Sequence, residues 1–246
     1  RRSVALRLQG RGLAARWWKR QARQCAAFEI ACAAQFDAGF FNSSQDCAAL
    51  QAMAPAFAKK LEVAANGVVQ ASLSKRPRPV GPASIAFVGH LAYAPNAEAV
   101  TWFATQVLPR LRATAPNLEF TVIGGDAPAS LRALEGTPGL RFQGPVADVQ
   151  AALAAADLSV CPVHSGAGRQ NKLLEAFAAG LPTVATAFSA AGVEARDGQE
   201  LLVADEPQAF ANAVLRLLRQ PALGQSLAHR AKTLLRRRSR WQPNAA

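Results

Sequence analysis

Ser165 to Gly180 reads SGAGRQNKLLEAFAAG and follows a short apolar run, Leu158 to Cys161. Gly166 and Gly168 lie in a loop that runs straight into a helical segment, Asn171 to Ala179. A short apolar strand, a glycine loop and an apolar helix together make one strand-helix unit of a parallel sheet. The free N–H groups and positive dipole end of that helix favour an anion by about 0.3–1 kcal/mol when exposed. Arg169 and Lys172 add full charges there, so both are candidate clamps for a diphosphate, set against the ordinary interpretation of each as a solvated cation. Glu175 sits one turn beyond Lys172. It fits an intrahelical ion pair, or an acceptor for two vicinal hydroxyls, because a carboxylate accepts from two donors without giving one.

Outward from this stretch the same unit recurs. Strands are expected at Ile85 to Val88, Phe120 to Ile123, Leu140 to Phe142, Leu158 to Cys161 and Thr183 to Ala185. Helices are expected between them at Asn96 to Ala115, Ala129 to Glu135, Val149 to Ala155 and Asn171 to Ala179. Short apolar strands alternating with helices predict an α/β fold, a doubly wound parallel sheet covered on both faces. Such sheets bind ligands outside the carboxyl ends of their strands. The loops after the strands are therefore informative. Gly89 follows the first strand and leads to Asn96, which is expected to cap the next helix with Val100, Phe103, Val107, Leu108 and Leu111 on one face. Gly124 follows the second strand; glycine there permits close approach of a ligand, or simply a turn.

The front of the chain is sparser. Cys25, Phe28, Cys32 and Phe36 recur at helical spacing, with Trp17 and Trp18 earlier among basic residues. A strand is expected at Ala38 to Asn42, then a helix capped by Ser44 and running to Met53, then a strand at Leu61 to Ala65. Lys75 to Pro82 is basic and proline-rich and reads as a linker. Four segments result: 1–69, too small for an independent core and expected to be the remnant of a domain beginning before Arg1; the linker 70–83; the doubly wound α/β domain 84–222; and a basic helix within 223–246.

The net charge of +12 is concentrated at the two ends. Eight Arg and Lys residues precede the first acid, Glu29, and six more lie between Arg230 and Arg240. These charges fit a solvated face or an anionic membrane surface about equally, and a nucleic-acid groove less well. No apolar run approaches the ~20 residues of a membrane span, and no signal-like core follows Arg1 and Arg2. The expected location is the cytosol, with peripheral contact at the inner face of the membrane. Cys25, Cys32, Cys47 and Cys161 form no CxxC pair, which argues against zinc and disulfides and for small buried apolar residues. No aspartate pair offers itself to a magnesium ion, so neither metal nor cofactor is expected.

The stretches FVGHLAYAPN, FTVIGG, LRFQGPVADV, ADLSVCPV, SGAGRQNKLLEAFAAGLPTVAT and GVEARDGQELLVAD resemble the group-one glycosyl transferases, a family of retaining enzymes of the two-domain GT-B type. The start QNK-LEA, Gln170 to Ala176, is similar to the subgroup found with bacterial exopolysaccharide and exosortase (PEP-CTERM) loci. The resemblance implies a Rossmann-like donor domain and transfer of a sugar from a UDP- or GDP-linked donor to a carbohydrate or lipid-linked acceptor. It implies that Glu175 holds the donor ribose, and that Lys172 with Gly168, Arg169, Gln170 and Asn171 meets the diphosphate. It further implies that Gly144 to Val146 meets the base, and that Gly89 is the glycine after the first strand. Position 167, where the family carries its first motif glutamate, is Ala167. By the same resemblance Glu29, Phe36-Asp37 and Asn66-Gly67-Val68 close an acceptor domain, and the helix from Gln225 to Arg240 packs back towards it.

Three other functions compete. A nucleotide-sugar-binding module without turnover accommodates Ala167 and a truncated acceptor domain. A nucleic-acid-binding protein rests on charge alone. A nucleotide-sugar epimerase would need acid and base groups, for which only His90 and His164 present themselves.

Overall fold

The computed structural model describes residues 13–64, 81–166 and 169–238. Within them two compact units form, one from the front of the chain together with 165–169, the other from 81–164 and 170–238.

The first unit contains α1 (Leu13–Gln35), β1 (Gly39–Phe41), α2 (Ser44–Met53), a 3₁₀ turn (Pro55–Lys60) and β2 (Leu61–Val63). β1 and β2 pair in parallel, Gly39 opposite Leu61. Its core is small: Ala33, Cys47, Leu50 and Leu61, with Ile30, Phe41 and Phe57 packed at the edge. Gln51 Nε2 donates to the carbonyls of Leu61 at 3.0 Å and Ala58 at 3.3 Å, tying the end of α2 to β2. The expected cap is displaced by one residue. Ser43, in extended backbone, is the N-cap and its hydroxyl accepts from Asp46 N at 3.4 Å, leaving Ser44 as the first helical residue. Nor are all cysteines interior, since Cys25 is exposed and Cys32 half-buried.

The second unit is built on β3 (Ser84–Val88), β4 (Glu119–Ile123), β5 (Leu140–Gly144), β6 (Leu158–Cys161), β7 (Thr183–Ala185) and β8 (Leu202–Val203). All six are parallel, in the order β5-β4-β3-β6-β7-β8. Counted from β3 this is the 3-2-1-4-5-6 order of a doubly wound sheet, which reverses between β3 and β6. Both faces of the sheet are covered. Ile85 and Phe87 of β3 belong to one apolar cluster, Ala86 and Val88 to the other, as the two-residue period of a strand requires. β6 and β7 are buried at every position, whereas edge strand β5 alternates between half-buried and exposed residues.

The larger face is covered by a long helical run, α3 (Ala94–Trp102), a π turn (Phe103–Val107) and α4 (Leu108–Thr114). The sequence pattern predicts one helix here. The π turn falls where Pro109 removes an N–H and crowds the carbonyl four residues back, a conflict that widening by one residue relieves. Phe103 is wholly buried against Phe120, ring centroids 4.3 Å apart, and against Phe210, 5.8 Å apart. The remaining helices are α5 (Ala129–Arg132), α6 (Val149–Ala154), α7 (Asn171–Ala179), α8 (Ala187–Gly192), α9 (Pro207–Arg219) and α10 (Pro221–Arg238). α10 contributes Leu227, Ala231 and Leu235 to the large core of this same unit.

Candidate functional site

Strand order reverses between β3 and β6, the place where doubly wound sheets hold ligands at their carboxyl ends, and the loops after these strands carry many of the candidate residues. On the β3 side the loop is sewn to its neighbours. Gly89 N donates to Ile123 O at 3.0 Å, Leu91 N to Gly125 O at 3.0 Å, and Gly124 N to Gly144 O at 2.9 Å. Three successive strand ends are thereby fixed as one floor. Gly124 has φ +155°, and a Cβ there would lie 1.9 Å from Gly89 O, so the carbonyl packed against it demands glycine. Gly144, at φ +77°, has open space where its Cβ would stand. Val146, just beyond, is half-buried against the smaller core cluster.

Asn96 does not cap the helix. Pro95, whose fixed φ suits a first turn, starts the helix earlier, with Tyr93 as N-cap and Asn96 inside the first turn. There Asn96 Nδ2 donates to His90 O at 2.8 Å, and a Cβ on Gly89 would meet that same nitrogen at 2.9 Å. Asn96 is 5% exposed and its Oδ1 has no protein partner. It is a buttress beneath the β3 loop. The pattern P-N five residues or so after a strand glycine carried no signal of this role, because the contact depends on how the loop folds back.

On the β6 side α7 begins with Gln170 at the N-cap position, buried but making no side-chain cap. Its Oε1 instead accepts from Lys172 Nζ at 2.9 Å. The same Nζ lies 5.8 Å from the ring centroid of Phe87 on β3. Lys172 therefore reaches from the helix after β6 across to β3, over the reversal. Its charge is felt at the end of β6 as well, where burial pushes the Cys161 thiol up and Lys172 opposes the rise. The β6 loop is held by Val163 O, which accepts from Ser189 Oγ at 3.0 Å and from the Thr186 hydroxyl. Neither Thr186 nor Ser189 stands out in the sequence; both belong to the cap of α8, three residues apart.

Glu175 is half-buried one turn further along α7. Burial pushes its carboxyl above the usual carboxylate range, and the Lys172 charge pulls part of the way back. Its backbone carbonyl accepts from Gln150 Nε2 of α6 at 3.2 Å, fixing the two helices together. Asn171 opens α7 and is exposed. Among the sequence candidates, then, Gly89, Gly124, Gly144, Val146, Gln170, Asn171, Lys172 and Glu175 lie on loops and helix starts at one end of one sheet. Arg169, half-buried, groups with the first unit. Gly168 and Ala167 lie outside the described residues. The two histidines have separate surroundings. His90 Nδ1 is 3.4 Å from Asp126 Oδ2, both exposed, while His164 stacks edge-on against Trp102 and faces Asp205 O at 3.3 Å.

The arrangement can hold an extended anion: one cation fixed by a buried amide, the positive end of a helix, and a carboxylate one turn away. Against known proteins, the family model described as glycosyl transferases group 1 matches residues 82–220. No curated protein sequence matches the chain. Among solved structures, TarM superposes with a TM-score of 0.71 at 12% identity, over 87% of this chain and 43% of that one. Anabaena Alr3699/HepE in complex with UDP gives 0.68 at 18% identity, over 87% and 63%. The pneumococcal O-GlcNAc transferase GtfA in complex with UDP and GlcNAc gives 0.66 at 15% identity, over 85% and 43%. The chain thus spans 43% to 63% of the length of these structures, and at such identities the likeness is one of fold.

Proposed function

The chain belongs to the group 1 glycosyl transferases, and on that premise we propose that the crevice at the β3/β6 reversal binds the nucleotide-sugar donor of a retaining, metal-independent sugar transfer. The carrying observation is the position of Lys172, held by Gln170 and laid over Phe87, one turn before a half-buried carboxylate. When the anomeric C–O bond breaks, the nucleoside diphosphate leaves with negative charge. Lys172 and the first N–H groups of α7 offset that charge without rearranging, which is worth most where water is excluded. Glu175 accepts from the two ribose hydroxyls, Gly144 to Val146 supports the base, and Gly89 and Gly124 form the floor. Arg169 and Gly168 complete the diphosphate segment on the family pattern. Solved neighbours carrying UDP favour UDP over GDP as the leaving group.

The acceptor is a carbohydrate or a lipid-linked carbohydrate of polysaccharide or exopolysaccharide synthesis, a reading supported by the likeness of Gln170 to Ala176 to the exosortase-associated subgroup. Residues 1–69 are assigned to the acceptor side, 70–83 to the linker and 84–222 to the donor side. Ala167 favours one alternative, a donor-binding module without turnover, since the family glutamate is absent there. Incubation with UDP-glucose and a panel of carbohydrate acceptors in EDTA separates the two. Release of UDP with an α-linked product by proton NMR supports retaining transfer, a β-linked product contradicts retention, and binding without UDP release favours the module.

A further inference from the structure

From its start to Glu29, α1 carries Arg16, Lys19, Arg20 and Arg23 and no carboxylate. Spacings of three, four and seven residues put these four cations on one helical face, and all four are exposed. Trp17 and Phe28 are eleven residues apart, about three turns, so they line up along the helix roughly a third of a turn round from the cations. Trp17 is 52% exposed and Phe28 70%. A like-charge stripe on one face repels itself, and a large exposed aromatic beside it loses contact with water only against an apolar partner. The two strips together call for a partner that is anionic and apolar at adjoining depths.

We propose that α1 docks the chain on an anionic lipid surface, with Arg16, Lys19, Arg20 and Arg23 on headgroup phosphates and Trp17 and Phe28 at the headgroup–acyl boundary. Lipid fits better than nucleic acid because the aromatic strip lies beside the basic one on a convex helix, where it meets an apolar boundary but offers no groove in which bases stack. No described helix is long and apolar enough to cross a membrane, so the contact lies in the plane of the surface. The second basic group, Lys232, Arg236 and Arg237 on α10, has no large exposed apolar side chain beside it among the described residues. It serves as the internal control.

The test is flotation of the chain with phosphatidylcholine vesicles, with and without phosphatidylglycerol. Binding is expected only with the anionic lipid and to fall with salt. Each single change, Arg16→Gln, Lys19→Gln, Arg20→Gln or Arg23→Gln, should weaken it about fivefold, a step mild enough to leave the helix folded. Trp17→Ala with Phe28→Ala should weaken binding while leaving its salt dependence in place. The proposal is overturned if the α1 variants float like wild type, if binding is lost instead on changing Lys232, Arg236 and Arg237 to Gln, or if the chain binds single-stranded RNA but not these vesicles. UDP affinity, read on the same variants, should stay unchanged, which separates this surface from the donor site.

Discussion

In the proposed donor site Lys172 and Glu175 each make a distinct prediction. Lys172→Ala removes a positioned cation and should lower UDP affinity by about 2 kcal/mol, in the range of hydrogen bonds to charged groups. Lys172→Arg should not restore it fully, since the longer planar fork cannot keep both the Gln170 contact and the place over Phe87. Glu175 is held above its ordinary value by burial, so the folded protein binds its proton more tightly than the unfolded chain does. Its contribution to stability is therefore greatest below the ordinary carboxylate range and is lost as pH rises through the raised value. Glu175→Gln should raise the Tm at neutral pH, have little effect near pH 4, and still weaken UDP binding. A variant that is more stable yet binds less well is the signature of a carboxylate kept for a ligand. Asn96→Ala should leave the fold intact but release the His90 carbonyl, raising the KM for donor more than it changes kcat.

At the scale of elements, strands β3 to β7 and helix α7 were legible because apolar runs of three to five residues recur between helical patterns. The α8–β8 segment was not, since β8 has two residues and too little pattern to read. Helix starts moved for local reasons: Pro95 drew the start of α3 forward, and Ser43, not its neighbour, held the extended backbone a cap needs. Lys172, Glu175, Gly89, Gly124 and Gly144 of the proposed site stand out in the sequence by charge or by place after a strand, whereas Asn96, Gln150, Thr186 and Ser189 do not. Their partners are distant backbone carbonyls, and only the folded chain says which. Gly124→Ala tests the floor directly. A methyl 1.9 Å from a backbone carbonyl must displace the β3 loop, so both Tm and UDP affinity should fall together. Phe103→Ala, by contrast, should cost about 3–5 kcal/mol of stability through the cavity left between Phe120 and Phe210.

For the whole molecule, the two units differ in how much apolar surface each buries. The second has a large cluster on one sheet face and a smaller one on the other, while among the described residues the first has a single four-residue apolar cluster and leaves Phe28, Phe36 and Phe40 exposed. Amide exchange should accordingly be faster in α2 and β2 than in β3, β4 and β6 by orders of magnitude, because opening a small core costs less. The central claim, that the crevice at the β3/β6 reversal is a donor site built around Lys172, is tested most directly by calorimetric titration of the chain with UDP and GDP in EDTA, repeated with Lys172→Ala. Saturable UDP binding that exceeds GDP binding and weakens more than tenfold in the variant is the predicted result. UDP binding that is unaffected by Lys172→Ala, or that appears only when a divalent ion is added, would contradict it.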